Sequence, residues 1–226
     1  MKKAASMSDA SLLSDQRPTR VRWIIFMCAC MTSWFLYLHR YSWLIVGPAL
    51  QQEYGFDETE LSFIYTAFNI TYGIGQIPSG IVCDLMGPHI FVGILIAVWS
   101  LSLPLIGIGG NKLGLAASRL LFGLGQSGAY PSLTKVTQLW FPKSKRTIVQ
   151  GWVATFFGRG GGAMSPIIMA TILMGYFGLG WRASLGILSA CGFIFAVLFL
   201  ILVRNSPDVD SRVNDAERSL IRDGRE

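Results

Sequence analysis

The sequence predicts an all-α membrane protein with six transmembrane helices, and three observations support this fold class. Of the 226 residues, 52% are hydrophobic and only 14% are charged, whereas soluble domains carry about 25% charged residues. The charged residues gather near both ends of the chain and in short gaps between apolar segments. Six of those segments are long enough to cross a hydrocarbon layer about 30 Å thick at about 1.5 Å per residue.

The apolar segments lie at residues 23–48, 59–83, 89–109, 113–136, 148–174 and 181–203. Turn-forming pairs such as Gly87-Pro88 separate them, and Asp57 is expected to cap the second helix. The predicted organisation is a cytoplasmic tail (1–22), a six-helix membrane domain (23–203) and a second cytoplasmic tail (204–226). In the last of these, residues 214–217 read as a capping box that opens a short surface helix.

The distribution of lysine and arginine predicts the orientation of the chain. Thirteen basic residues lie in the amino-terminal tail, in the gap after the fourth segment and beyond residue 203. The opposite side carries only Lys112 and Arg182. Because cytoplasmic loops are enriched in Lys and Arg, both termini are predicted to be cytoplasmic. The protein is then a multi-pass cell-membrane protein, in the inner membrane if the source is bacterial.

Composition and motifs argue against several other functions. The net charge of +6 comes from residues that flank apolar segments, so no nucleic-acid surface is predicted. The four cysteines lack metal-site spacing, and we predict neither a metal nor a cofactor. Residues 123–128 read G-x-G-x-x-G, but no strand precedes them, so these glycines are expected to let helices approach. The same stretch contains the G-x-S-G of rhomboid serine proteases, yet the sixth segment lacks the histidine that activates the serine, so we predict no enzyme.

Three arginines inside apolar segments are the candidate functional residues. Arg159 lies ~16 Å into the fifth helix, and Arg119 and Arg40 lie ~10 Å from the outer surface. An arginine at the bilayer centre costs at least ~2.5 kcal/mol, so these side chains are not expected to face lipid. Lys135 lies at a helix end, where it can extend to the interface, and it receives no functional role. The alternatives for the three arginines are structural pairing and an electropositive cavity.

Polar neighbours at helical spacing favour the cavity. They are Tyr37 and Tyr41 around Arg40; Tyr65, Asn69, Tyr72 and Gln76 on the second helix; Gly123, Gln126 and Tyr130 after Arg119; and Thr155 and Gly162 around Arg159. Polar stripes also hold membrane helices together, so one stripe alone is weak support. No carboxylate lies near the predicted midplane. Because unpaired buried cations are costly, the pattern predicts a site for a small organic anion.

Several motifs resemble the major facilitator superfamily, specifically its anion:cation symporter branch of sugar-acid, sialic-acid and glutamate transporters. Tyr37-Leu38-His39-Arg40 is similar to Y-x-D-R of helix one, and residues 119–126 are similar to R-x-x-x-G-x-x-E of helix four. Residues 72–80 and 83–88 resemble the G-Y-x-x-x-Q-x-P-x-G and G-x-x-x-D-R-x-G signatures. The resemblance covers nearly the whole chain beyond Arg22.

The resemblance implies half of a major facilitator fold, with two inverted three-helix repeats. It implies substrate contacts from Arg40 and Arg119, joined in our candidate site by Tyr37, Tyr41, Asn69, Tyr72, Gln126, Tyr130 and Arg159. It also implies a gating role for Asp84, with the motif glycines Gly80 and Gly87. The implied function is secondary transport of a sugar acid or carboxylate by alternating access.

The sequence departs from the family pattern at three points. His39 and Gln126 replace the acidic residues, which leaves His39 as the candidate coupling residue in the cavity. Leu85 replaces the signature arginine. The chain also stops where the central loop of a twelve-helix protein would begin, so the working unit is predicted to need a second six-helix half or self-association. The main alternative is a six-helix module that binds or regulates a partner without transporting.

Overall fold

The computed structural model describes residues 17–222, and this part of the chain is helical with no strand. Its α-helices are α1 (Val21–Tyr41), α2 (Trp43–Tyr54), α3 (Glu58–Met86), α4 (Pro88–Ile108), α5 (Lys112–Ser127), α6 (Ala129–Trp140), α7 (Lys143–Gly151), α8 (Arg159–Pro166), α9 (Trp181–Leu202) and α10 (Asp215–Arg222). The π-helical segment Trp152–Gly158 joins α7 to α8, and a second π-helical segment, Ile167–Tyr176, follows α8.

Each predicted apolar segment is helical, although three of the helices are interrupted. The first helix turns at Ser42, between α1 and α2. The fourth is interrupted at Gly128, where Pro131 has no N–H to donate and its ring crowds the carbonyl of Ser127. The fifth contains both π-helical segments around Pro166, which likewise removes a backbone donor.

Three helical stretches of the described chain are long and apolar enough to cross a membrane, namely Val21–Tyr54, Pro88–Ile108 and Trp181–Leu202. The other three predicted segments carry the polar stripes or the interruptions. Six crossings therefore remain a prediction, as does the orientation of the termini. The two ends of the described chain do meet, because the backbone N–H of Thr19 donates to Oδ1 of Asn214 at 3.2 Å.

Glycines in α5 and α8 allow neighbouring helices to pack closely. A Cβ atom on Gly123 would lie 2.5 Å from the carbonyl oxygen of Phe68 in α3, and one on Gly125 would lie 2.7 Å from the backbone N of Trp99 in α4. A Cβ atom on Gly161 in α8 would lie 2.8 Å from the carbonyl carbon of Trp34 in α1. The prediction that the G-x-G-x-x-G stretch serves helix packing is confirmed.

The predicted cap of α3 is confirmed, but the cap of α10 differs from its prediction. Asp57 accepts from the N–H of Glu60 at 2.7 Å, and Glu60 returns the bond in a complete capping box. At α10, Asn214 accepts from the N–H of Glu217 at 2.9 Å, as expected. The Glu217 carboxylate instead binds the start of α1, where it accepts from the N–H groups of Val21 and Arg22, each at 3.2 Å. The tail helix is thus docked on the bundle.

Neutralising Glu217 should undock α10 and destabilise the chain. The buried carboxylate satisfies two N–H groups at the amino end of α1, so Glu217→Gln should cost about 1–2 kcal/mol. The measurement is the thermal unfolding midpoint of the purified chain in detergent. The matched control is Asp215→Asn on the same helix, whose side chain is 65% exposed and pairs with Arg218 alone among residues 17–222. Equal effects of the two changes would contradict this docking.

Candidate functional site

A cavity of about 400 Å³ lies where α1, α2, α3 and α8 meet. The residues that line it are Tyr37, Arg40, Tyr41, Trp43, Leu44, Tyr65, Phe68, Asn69, Tyr72 and Arg159. Six of the nine predicted substrate-binding residues are in this set, which brings the predicted stripes of helices one, two and five together. Its volume falls within the range of small-molecule sites.

Arg40 is held in the cavity wall by a neutral side chain. Its Nε donates to Oε1 of Gln126 at 2.9 Å, while Nε2 of Gln126 donates to the carbonyl oxygen of Leu36 at 2.9 Å. The guanidinium lies 4.4 Å from the ring centroid of Tyr72. Its buried Nη2 has no hydrogen-bond partner among the described residues. Gln126 is fully buried behind Arg40 and does not line the cavity, so it positions Arg40 from behind.

Arg119 is fully buried behind the aromatic wall of the same cavity. Its guanidinium lies 4.3 Å from the ring centroid of Trp43 and 5.5 Å from that of Phe68, and Arg40 faces the same Phe68 ring at 5.0 Å. None of its three side-chain nitrogens has a hydrogen-bond partner within residues 17–222. A guanidinium has five N–H donors, so the site holds an unusual number of unused donors.

Arg159 and Tyr130 complete the group around α8. Arg159 lines the cavity and is exposed there, and no ion pair involves it in the described part of the chain. Tyr130 lies behind the wall, where its hydroxyl shares a hydrogen bond of 2.9 Å with the hydroxyl of Ser33. Its ring meets that of Tyr37 edge-on at 6.4 Å. Tyr130 therefore supports the cavity wall from behind.

The cavity has cations and neutral polar groups but no carboxylate among its lining residues. The ion pairs of the described chain lie elsewhere, such as Glu53 with Arg182, Asp84 with Lys135 and Glu60 with Lys112. Arg40 and Arg119 thus meet aromatic rings and one amide in place of counterions. Arginine N–H donors suit a bidentate carboxylate or another oxyanion. The geometry therefore fits an anionic ligand.

His39 lies outside the cavity, which corrects its predicted position. The residue is buried on another face of α1, where its ring centroid lies 5.6 Å from that of Phe35. A Cβ atom on Gly192 of α9 would lie 2.7 Å from Cε1 of His39 and 3.1 Å from Cβ of Ser100. Adjacent residues on a helix point about 100° apart, so a side chain next to Arg40 faces another helix pair. His39 is therefore absent from the cavity lining, and its coupling role stays a prediction.

The predicted gating residues lie at the end of α3, away from the cavity. The carboxylate of Asp84 accepts from Nζ of Lys135 at 2.5 Å. This contact gives Lys135 a partner that the sequence analysis did not assign. Gly87 has a φ of 81°, and a Cβ atom there would lie 2.5 Å from Oδ1 of Asn205. Gly80 has open space around it.

Sequence reasoning missed the aromatic wall and a peripheral ion pair. Trp43 lies three residues after Arg40 and Phe68 lies between Tyr65 and Tyr72, so helical spacing was the available signal.

Arg182, treated as a topology residue, donates to both carboxylate oxygens of Glu53 at 2.7 and 2.6 Å and to the Tyr54 hydroxyl at 2.8 Å. The hydroxyl of Ser127, in the rhomboid-like motif, shares a hydrogen bond of 3.0 Å with the hydroxyl of Ser79. The two histidines do not contact Ser127: His89 bonds the carbonyl oxygen of Leu200, and the ring of His39 packs against Phe35.

The chain is similar in sequence to several known transporters. The chain is 31% identical over 224 residues to a probable galactarate/D-glucarate transporter of Bacillus subtilis, covering 95% of this chain and 48% of that protein. It is 29% identical over 198 residues to a probable sulfoacetate transporter of Cupriavidus necator, covering 88% of this chain and 45% of that protein. A hexuronate transporter of Escherichia coli is 25% identical, with 91% and 46% covered.

The fold also matches a solved transporter structure. A bacterial homologue of the human lysosomal transporter Spinster, inward-facing and unoccupied, aligns with a TM-score of 0.73 at 15% identity, covering 84% of this chain and 44% of that one. The chain thus spans about half the length of the relatives that it matches. It is a multi-pass protein of the cell membrane. The profile of the Major Facilitator Superfamily matches residues 22–224, and the chain belongs to that family.

Proposed function

We propose that this chain is the amino-terminal half of a secondary transporter that moves a sugar acid or a similar organic anion by alternating access. The observation that carries the proposal is the arginine-lined cavity whose described lining contains no carboxylate. A cationic site near the membrane midplane is costly unless a ligand supplies the counter-charge. Substrate sites of secondary transporters also lie near the midplane, at the interface between structural repeats.

The neutral lining supports a hydroxylated anion. Four tyrosines and Asn69 add hydroxyl and amide groups to the arginine donors. A sugar acid presents one carboxylate for the arginines and several hydroxyls for these groups. The relatives named above are described as transporters of galactarate, D-glucarate, hexuronate and sulfoacetate, all of them small organic anions.

The three arginines would act in sequence. Arg40 and Arg159 reach the cavity directly, so an entering anion meets them first. Arg119 lies behind the Trp43 ring and would bind the anion only after that ring moves aside. Gln126 keeps Arg40 oriented through its bond to Nε, which leaves Nη2 for the ligand. This order would couple substrate binding to a movement of α2 at the Ser42 turn.

The half-transporter assignment rests on the open side of the cavity and on the half of each relative's length that the chain matches. One side of α3 carries Ile74, Ile77 and Leu85, which are 72%, 81% and 81% exposed. The cavity opens beside the same helix. Ile74, Ile77 and Leu85 lie about 120–200° around α3 from the cavity residue Tyr65 and suit lipid, whereas a second six-helix half, or another copy of the chain, would cover the cavity. The competing function, a binding or regulatory module without transport, would use the same cavity but need no second half.

A ligand panel tests the class of substrate. We expect D-glucarate, D-glucuronate and sulfoacetate to raise the thermal unfolding midpoint of the purified chain, because a ligand that binds only the folded state stabilises it. D-Glucose at the same concentration should leave the midpoint unchanged. Stabilisation by the neutral sugar equal to that by the acids would reject an anion site. Salt at matched ionic strength controls for screening.

A further inference from the structure

A second cavity, of about 670 Å³, lies at the end of the bundle where α1 begins, between α1, α7 and the docked tail helix α10. Its lining is almost entirely apolar, with Trp23, Phe26 and Met27 from α1 facing Ile148 and Trp152. Phe141 forms part of its floor, and its ring centroid lies 6.2 Å from Trp23 and 6.3 Å from Phe26. Trp23 and Trp152 are 49% and 47% exposed. We call this cavity the α1/α7 groove.

Two cations stand at the rim of the α1/α7 groove. Nη1 of Arg22 is buried and has no hydrogen-bond partner within residues 17–222. The nearest carboxylate is that of Glu217, 4.0 Å from Nε of Arg22, but it already accepts from the backbone N–H groups of Val21 and Arg22. Lys145 is exposed at the other side and forms no ion pair in the described chain. The rim therefore has unused donors for an anion.

Exposed tryptophans beside basic residues indicate that the α1/α7 groove lies at a membrane–water interface. Tryptophans concentrate at membrane–water interfaces, and basic residues concentrate beside them on the cytoplasmic side. Basic pockets between membrane helices bind anionic lipid headgroups, while the apolar surface below them fits an acyl chain. A packed protein helix would cover the aromatic floor but leave Arg22 and Lys145 without a counter-charge. A soluble phosphate would satisfy the cations but leave the floor exposed.

We propose that the α1/α7 groove binds an anionic phospholipid, with its phosphate between Arg22 and Lys145 and an acyl chain along Trp23, Met27 and Trp152. The site is separate from the arginine cavity and does not depend on whether the chain transports anions. Because α10 and the start of α1 both border the groove, a bound lipid would also hold the docked tail. Lipid composition would then affect the stability of this end of the bundle.

Native mass spectrometry of the delipidated chain tests the site. Phosphatidylglycerol and phosphatidylcholine with identical acyl chains are added at equal concentration. We expect phosphatidylglycerol to bind about 30-fold more tightly, because the two basic residues near the headgroup add about 1 kcal/mol each. The double variant Arg22→Gln/Lys145→Gln should bind the two lipids equally. The single variant Lys145→Gln should lose part of the preference for phosphatidylglycerol, and its folding should be unaffected because Lys145 is exposed. Lys143→Gln, two residues away and outside the groove lining, should behave as wild type.

Four outcomes would overturn the proposal. Equal binding of the two lipids would show that the groove does not recognise the headgroup charge. A preference that survives in the double variant would place the lipid elsewhere. Displacement of the lipid by soluble glycerol phosphate at equal concentration would indicate a site for free phosphate esters, and lipid-free dimers would indicate that a second copy fills the groove.

Discussion

Replacing Arg119 with methionine should abolish binding of the anion while leaving the folded chain at least as stable as the wild type. The guanidinium is fully buried and lacks a hydrogen-bond partner among the described residues, and its favourable contacts are aromatic rings. Replacing buried charged groups with apolar residues of similar volume is often neutral or stabilising. Methionine keeps the unbranched shape and packs well against aromatic rings.

The expected loss of affinity is large. Charge-assisted hydrogen bonds contribute about 1.5–3 kcal/mol each, and a guanidinium can make two to one carboxylate. Removing both should weaken D-glucuronate binding by at least about 100-fold. Arg119→Lys should lose most of the same affinity, because an ammonium cannot reproduce the planar fork. Both variants are measured by equilibrium titration, beside thermal unfolding without ligand.

A matched control separates this effect from a general loss of positive charge. Arg222→Met makes the same change at an exposed arginine, which pairs with Asp208 at the end of the tail helix, and so removes one positive charge away from the cavity. Its affinity for D-glucuronate should equal that of the wild type. Near-wild-type binding by Arg119→Met would remove Arg119 from the site. A variant that loses binding only because it unfolds would contradict the predicted stability.

The isolated chain should not accumulate an organic anion in liposomes. Alternating access requires two bundles that move about a shared site, whereas this chain supplies one side of the cavity. The open side of the cavity, with Arg40 and Arg159 in its lining, would face lipid in a monomer, where unpaired arginines are costly. We therefore expect either no uptake of labelled D-glucarate above empty liposomes or uptake confined to self-associated chains.

Cross-linking in the same liposomes distinguishes these outcomes. Uptake that appears only with cross-linked dimers would support self-association as the route to a complete transporter. Binding without uptake at any protein density would agree with a missing second half, and a co-expressed complementary half should then restore transport. Accumulation by chains that cross-link only as monomers would reject the half-transporter proposal.

The sequence predicted the helices well because apolar length and turn residues act locally. It also predicted that Tyr37, Arg40, Asn69 and Arg159 line one cavity, because helical spacing determines which residues share a face. It failed where the outcome depended on which neighbouring helix a face meets. His39 and Arg40 are adjacent in sequence, yet one packs against α9 and the other faces α3.

Contacts between distant segments were also beyond the sequence. Glu217 looked like half of a local capping box, but its carboxylate binds the start of α1. Lys135 looked like a lysine extending to the interface, but it pairs with Asp84 of α3. Arg119 was predicted to contact the ligand directly, and the ring of Trp43 stands in front of it. Each outcome depends on the tertiary arrangement, which spacing along one helix does not contain.

The most direct measurement of the central claim compares a carboxylate with its neutral isostere. D-Glucuronate and D-glucuronamide have nearly the same shape but differ in charge, so their ratio of dissociation constants isolates recognition of the carboxylate. We predict a ratio of at least about 100 for the wild-type chain and a much smaller ratio for Arg119→Met, in which only Arg40 and Arg159 still recognise the carboxylate. Equal affinity of the wild-type chain for the acid and the amide would contradict an arginine-based anion site.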